Sequence, residues 1–328
     1  MKACWFEAFG SAADVLQIGE QPVPETSPGE VLVRLHTSGV NPSDVKKRAG
    51  AFPNLLDDGL IIPHSDGAGV IEAVGPGVDP SRVGERVFVY QAQYGRRLGT
   101  AAEYVALDSL RAPVLPDEAS FAVGAVIGIP IMTAHRCVFA DGDVSGQTLL
   151  ITGGAGRVGD YAIQWASQAG AWVIATASNP EDEARCRAMG AREVVNHREP
   201  GWGDRVLELT GDERVDRVID VEFGANLPEV LKCIRIGGTI ATYSSTVVPE
   251  PALPFRDMMF MDLTLRLVIV YAMPEAAKAA AVADTQEALR RGTLDHRIAH
   301  ELPLDQAARS HELIENGGFG GCVVLTID

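Results

Sequence analysis

The sequence predicts an α/β protein in two parts, a β-rich part ending near residue 120 and a doubly wound α/β part after it. Three observations predict this. Up to about residue 120, short alternating apolar runs are separated by Gly and Pro turns. From Phe121 onward, Ala-rich helical stretches alternate with apolar strands. Between them lies TLLITGGAGRVGDYAIQWASQAG, residues 148–170, in which an apolar run stops at a glycine cluster and opens into a helical segment.

Taken in order, strands are expected at 30–36 (EVLVRLH), 69–74 (GVIEAV), 84–90 (GERVFVY) and 101–107 (AAEYVAL). Turns at 27–29 and 75–77 bound the first two, and strands this short suggest a partly closed barrel. The second part offers strands at 148–152, 172–176, 193–196, 217–221 and 239–243, with helices between them. An Ala-rich helix over 274–291 stops before Gly292, and 321–327 (GCVVLTI) reads as a strand returning to the first part.

At 328 residues and 46% apolar composition, the chain has material for two cored domains. Its net charge of −16 opposes nonspecific attraction to nucleic acid or anionic lipid. No apolar stretch reaches the roughly 18 residues of a membrane span. The opening MKACWFEAFG has no signal-type apolar core, so a cytoplasmic protein is expected. Five scattered cysteines form no C-x-x-C, which argues against a disulfide framework and a structural zinc lobe.

Gly154, Gly156 and Gly159 stand at the G-x-G-x-x-G spacing between an apolar strand and a helix, and a second strand follows. That order is what a dinucleotide-binding turn requires: the first two glycines bring backbone close to a pyrophosphate, and the third lets helix and strand pack. Ala155, Arg157 and Val158 complete the turn, and the helix N-terminus offers N–H groups to phosphate. Val158, Ala162, Trp165, Ala166 and Ala169 form the expected buried stripe. Gly67-Ala68-Gly69 lacks the third glycine and is expected to be a tight β turn. An NAD site would place an acid at the tip of the second strand, but that strand ends Thr176-Ala177-Ser178-Asn179. NADPH is therefore expected, with Ser178, Arg185, His197 and Arg198 about its 2′-phosphate. The competing reading pairs Arg185 and Arg198 with Glu181, Glu183 or Glu199 as surface charges.

Several further motifs keep one order along the chain: GVNPSD at 39–44, HSDGAGVI at 64–71, GIPIMTA at 128–134, the glycine turn, and NHRE at 196–199. Together they resemble the zinc-independent, zeta-crystallin-like quinone oxidoreductases of the medium-chain dehydrogenase/reductase superfamily, almost end to end. The resemblance implies a GroES-like catalytic domain split over 1–123 and 273–328, enclosing a Rossmann domain over 124–272. It also implies a cofactor-dependent reductase. Relatives that use zinc carry C-x-x-D and then His-Glu, where this chain has Asn41 with Asp44 and Ser65-Asp66. An amide and a hydroxyl do not replace a thiolate and an imidazole, so no metal is expected.

Without a Lewis acid, alcohol oxidation is poorly supported, whereas a quinone or conjugated carbonyl delocalises its product anion. Asn41 is the candidate amide donor near nicotinamide or acceptor; its alternative is a loop residue holding a turn before Pro42. Asp44, Lys46, His64 and Tyr94 are further candidates for lining the site. Thr133 is a candidate to face the nicotinamide, or else a helix-interior threonine bonding its own backbone. Phe223, Tyr243, Ser244 and Ser245 follow the fourth and fifth strands, where α/β sheets bind ligands. Arg157 stands where the family has a small residue, Asp160 is expected to point outward from the helix, and Cys322 replaces a basic residue common in relatives. The apolar segment from Leu263 to Ala272 (LTLRLVIVYA) reads as a strand through which the resemblance implies a homodimer.

Three functions compete at this level: an NADPH-dependent quinone reductase, an NADPH-dependent reductase of enone or enoyl C=C bonds, and a low-turnover NADPH-binding protein with a structural or RNA-binding role. The acidic charge argues against RNA.

Overall fold

The computed structural model describes residues 1–327. The chain divides into two compact units, one formed by Met1–Ile129 with Val282–Asp328 and the other by Pro130–Ala281. The junctions therefore fall after residues 129 and 281 rather than after 123 and 272. The second lies inside the helix Glu275–Arg291, which is continuous because its Ala-rich sequence has no breaker before Gly292.

Among the described residues fourteen strands are formed. In the first unit they are β1 (Lys2–Trp5), β2 (Gln17–Glu20), β3 (Glu30–Val40), β4 (Asp66–Val74), β5 (Arg86–Val89) and β6 (Tyr104–Asp108). In the second they are β7 (Thr148–Ile151), β8 (Trp172–Ala177), β9 (Glu193–Asn196), β10 (Val215–Asp220), β11 (Ile234–Thr242) and β12 (Thr264–Leu267). The chain then returns to the first unit with β13 (Ile298–Pro303) and β14 (Cys322–Thr326). The β1, β2 and β13 strands were not anticipated; β2 and β13 expose much of their length, so neither shows a clear apolar period.

In the first unit, β1 and β2 form an antiparallel pair, and the main sheet runs β13-β14-β3-β4-β5 with β6 also on β3. The long β3 is the hub: Glu30–Arg34 pair with β6, and Thr37–Val40 pair with β14. The C-terminal strand thus closes onto N-terminal sheet, around a core of Val31, Val33, Leu35, Val105, Val323 and Leu325. Gly67-Ala68-Gly69 is not a turn but lies inside β4. A Cβ at Gly69 would stand 2.0 Å from the Arg34 carbonyl oxygen, so this glycine serves the close approach of β4 to β3.

The second unit has one parallel sheet in the order β12-β11-β10-β7-β8-β9. This is the doubly wound arrangement of two mononucleotide-binding halves, with order reversing between β7 and β10. Its central strands are buried at Leu149, Leu150, Ile174, Val218 and Ile240, as expected for a sheet covered on both faces. The 263–272 segment is strand only over β12; a 3-10 turn occupies Val270–Ala272. Among the described residues no helix is long and apolar enough to cross a membrane.

Candidate active site

The nucleotide end of the second unit is built by the chain between β7 and the helix Arg157–Gln168. Gly153 N donates to Thr176 Oγ1 at 3.0 Å and Gly154 N to Thr176 O at 2.9 Å, fixing the turn to β8. Gly156 N donates to Gly153 O at 2.9 Å, and Gly156 itself is the helix N-cap. It has no side chain to cap the first turn, so the amides of Arg157, Val158 and Gly159 are presented to an anion. A Cβ at Gly159 would lie 2.2 Å from Gly153 O, so helix and turn meet only with glycine there. Gly154 and Ala155 are buried and Gly156 is exposed. The helix is buried beyond a single stripe: Tyr161, Ile163 and Gln164 are covered along with Ala162, Trp165 and Ala166, whereas Val158 and Ala169 are only partly covered.

Asp160 does not point outward. It is 5% exposed and accepts from Arg185 Nε at 2.5 Å and Nη2 at 3.0 Å, and from Gln164 Nε2 at 2.7 Å. Arg185 thus pairs with Asp160, a desolvated carboxylate that takes a bidentate partner. Past the tip of β8, Ser178 is half-buried and Asn179 caps the next helix by accepting from Asp182 N at 2.9 Å. His197 and Arg198 are exposed just after β9. Desolvation by the neighbouring chain, with Arg198 adding to it, lowers the His197 pKa. Glu199 is bonded by Asn196 Nδ2 at 3.1 Å rather than by Arg198. The strand-end region therefore presents a hydroxyl, an imidazole and a guanidinium, without a carboxylate at the β8 tip.

At the order reversal the ends of β7 and β10 are tied by Thr152 Oγ1, which donates to Asp220 Oδ1 at 2.6 Å. Asn226 Nδ2 also donates there at 2.8 Å, while Asp220 Oδ2 is buried without a hydrogen-bond partner. Burial raises the Asp220 pKa. Sequence reasoning missed this residue; the signal was an acid at the C-terminal end of a strand of the α/β part. Phe223, Tyr243, Ser244 and Ser245 do come together, around a cavity of about 460 Å³ beyond the ends of β11 and β12. Thr133 is buried in the helix Ile129–Phe139.

The first unit holds a second polar centre, built from buried side chains. Asn41 is the N-cap of the helix Pro42–Arg48, with Pro at its first position. Asp44 Oδ2 accepts from Asn41 N at 2.9 Å, and Asn41 Nδ2 donates to Asp66 Oδ2 at 2.9 Å. Asp66 Oδ2 also accepts from Ile129 N at 2.8 Å. The helix turns Asp44, Lys47 and Arg48 inward and leaves Lys46 exposed. Lys46 was the candidate read from the sequence; Lys47 is the lysine that enters the cluster, at i+3 from Asp44. Its Nζ donates to Gln93 Oε1 at 2.7 Å and Gln93 O at 3.0 Å. Burial raises Asp44 to about 6 and Asp66 to about 7 against the opposing pull of Lys47, whose own pKa burial lowers. One oxygen of each carboxylate, Asp44 Oδ1 and Asp66 Oδ1, has no hydrogen-bond partner.

His64 is fully buried at φ 76°, a strained backbone for a non-glycine residue that its bonds must hold. The bonds form a chain whose protons can be assigned. Thr100 Oγ1 donates to Asp66 O at 2.6 Å, so it accepts from Ser38 Oγ at 2.8 Å. Ser38 has then spent its proton and accepts from His64 Nδ1–H at 2.8 Å. His64 Nε2 is left as acceptor for His311 Nε2–H at 2.9 Å. Both rings are neutral, since burial pushes His64 well below its usual value and His311 to about 3. His64 is thus a buried bonding residue, and nothing in its geometry presents it to a ligand. Tyr94 lies in an exposed loop at 51% exposure.

Among the described residues no group of three or more His, Cys, Asp or Glu side chains could hold a metal ion. Asn41 and Ser65, in place of soft donors, do not fit zinc. All five cysteines are buried and none forms a disulfide, and burial raises Cys4, Cys137, Cys186 and Cys233 to about 12, too high for a nucleophile.

Known proteins match both units. The alcohol dehydrogenase GroES-like domain family matches residues 27–117, and the zinc-binding dehydrogenase family matches residues 158–285. A quinone oxidoreductase of Rattus norvegicus is 30% identical over 100% of this chain and 98% of its own. The chain belongs to the quinone oxidoreductase branch of the medium-chain dehydrogenase/reductase superfamily. It is an oxidoreductase. A mycobacterial protein solved as a complex with NADPH is 28% identical with a TM-score of 0.89, each chain covered 100%. A solved NAD-dependent alcohol dehydrogenase is 30% identical with a TM-score of 0.86, again covering 100% of both chains.

Proposed function

We propose that this oxidoreductase uses NADPH to reduce a quinone, or a similar conjugated carbonyl, without a metal. The observation that carries the coenzyme is the pairing of an uncapped glycine turn with a β8 tip that lacks a carboxylate and has His197 and Arg198 beside it. NADPH supplies the hydride. Gly154, Gly156 and the amides of Arg157, Val158 and Gly159 hold the pyrophosphate, while Ser178, His197 and Arg198 bind the 2′-phosphate. Arg185 acts through Asp160 as a support for the turn. Phe223, Tyr243, Ser244, Ser245 and Thr133 border the nicotinamide half.

On the acceptor side, Asn41 is the candidate amide donor. One of its two N–H bonds goes to Asp66, which orients the amide and leaves the second to give. Buried thiols that form no disulfide support a reducing, cytoplasmic setting. A homodimer through the β12 edge is supported by the apolar side chains there: Leu267 and Ile269 are 73% and 54% exposed at the end of the parallel sheet.

Initial rates with NADPH and NADH against 1,4-naphthoquinone, an enone and a primary alcohol test this reading. NADPH-dependent reduction of the quinone is expected. A preference for NADH would sink the assignment of Ser178, His197 and Arg198, and alcohol oxidation as the main activity would sink the acceptor.

A further inference from the structure

Glu222 immediately precedes the helix Phe223–Cys233, and its carboxylate holds a loop rather than a ligand. Oε2 accepts from Thr246 N and Oε1 from Val247 N, both at 2.9 Å. The same stretch is held from the helix side: Phe223 N donates to Ser244 O at 3.0 Å and Gly224 N to Ser245 Oγ at 2.9 Å. Ser245 Oγ donates on to Val248 O at 2.5 Å. Residues 244–248 are thereby fixed to the start of that helix. The chain then continues through Pro249, Pro251 and Pro254, whose rings restrict the backbone further. Pro249, Pro251 and Leu253 line the 460 Å³ cavity together with Phe223, Tyr243 and Leu267. No residue lining it carries a charge. Glu222 is not among the lining residues, and both its carboxylate oxygens are turned to backbone amides of the loop.

We propose that Glu222 is a positioning residue: by holding residues 244–248 it shapes a slot that takes a flat, uncharged ring. This rests on the reading of the chain as an NADPH-dependent reductase and narrows it, because a charged acceptor would find nothing in the slot to pair with. Two rings share this chemistry, the reduced nicotinamide and a quinone.

The test compares wild type with Glu222→Ala and Glu222→Gln in four measurements: affinity for NADPH, affinity for 2′,5′-ADP, binding of 2-naphthol followed by its fluorescence, and KM for 1,4-naphthoquinone. 2-Naphthol binding is expected to weaken by about tenfold in Glu222→Ala. A smaller loss is expected in Glu222→Gln, which keeps one acceptor oxygen. 2′,5′-ADP, which lacks the nicotinamide half, should bind unchanged. A parallel loss of NADPH affinity assigns the slot to the nicotinamide; a rise in KM alone assigns it to the quinone, and either supports the proposal. Unchanged 2-naphthol binding in folded variants overturns it, as does 2′,5′-ADP weakening in step. Leu253→Glu puts a charge into the wall while leaving the bonds of Glu222 in place, and the same loss is expected there if Glu222→Ala does not fold. A wild-type enzyme that binds NADPH and 2-naphthol but reduces no quinone would sink the proposed acceptor and leave the slot standing.

Discussion

The glycine turn of the second unit and the buried cluster of the first solve opposite problems. The turn assembles its polarity from backbone N–H groups at a helix end, with small residues that leave the space open. The cluster assembles its polarity from charged side chains, Asp44, Lys47 and Asp66, buried beside the polar partners Asn41 and Gln93. A backbone site costs little desolvation when empty, because water can meet exposed amides. A buried carboxylate with one unsatisfied oxygen is costly unless it is protonated or faces a cation. The turn is therefore a binding device that tolerates vacancy, and the cluster is a permanent internal fixture.

The largest effect should come from breaking the fixture. Lys47→Met removes the only cation acting on both carboxylates among the causes that shift them, and should cost about 3–5 kcal/mol in denaturant unfolding. Lys46→Met, one position away and exposed, should stay within about 0.5 kcal/mol. Equal effects would erase the distinction between the two lysines.

The next effect is a pH dependence. Asp44 and Asp66 are raised in the folded protein to about 6 and about 7. Raised carboxylates bind more protons folded than unfolded, so their contribution is fully present below about pH 3.8 and is lost as pH rises through 6 and 7. His64 and His311 are lowered and act with the opposite sign: their contribution is present above about pH 6.5 and is lost as pH falls below it. The difference between wild type and Asp66→Asn isolates the carboxylate. Across pH 4 to 7 it should change by an amount on the order of 3 kcal/mol, and a flat difference would mean that Asp66 titrates normally.

Two substitutions probe the turn. Gly159→Val forces a side chain against Gly153 O and should weaken NADPH binding by about 100-fold in a fluorescence titration. Arg198→Ala should weaken NADPH by about tenfold and leave NADH unchanged. If both coenzymes weaken together, Arg198 is not reading the 2′-phosphate.

The same contrast explains what could be read from the sequence. The turn is encoded at fixed spacing by residues next to one another, so Gly154, Gly156 and Gly159, the following helix and the strand alternation were all legible. The parallel sheet followed from the order of apolar runs, and the last strand's return to the first part was legible, but its pairing with β3 was not. The cluster is encoded by contacts across the chain: Asp66 meets Asn41, and Lys47 meets Gln93, through pairings of β3, β4 and a loop that no local period reports. Helix phase from the Asn41 cap would have separated Lys47 from Lys46. Nothing local would have turned Asp160 inward, since its partner Arg185 lies on the next helix, or paired His64 with His311 near the C-terminus.

The proposal that the reduction needs no metal is tested most directly by one rate. Protein is stripped with a strong chelator, and NADPH oxidation by 1,4-naphthoquinone is measured before stripping, after stripping, and after adding zinc. The account predicts the same rate in all three. Loss of activity on stripping, with recovery on adding zinc, would contradict it.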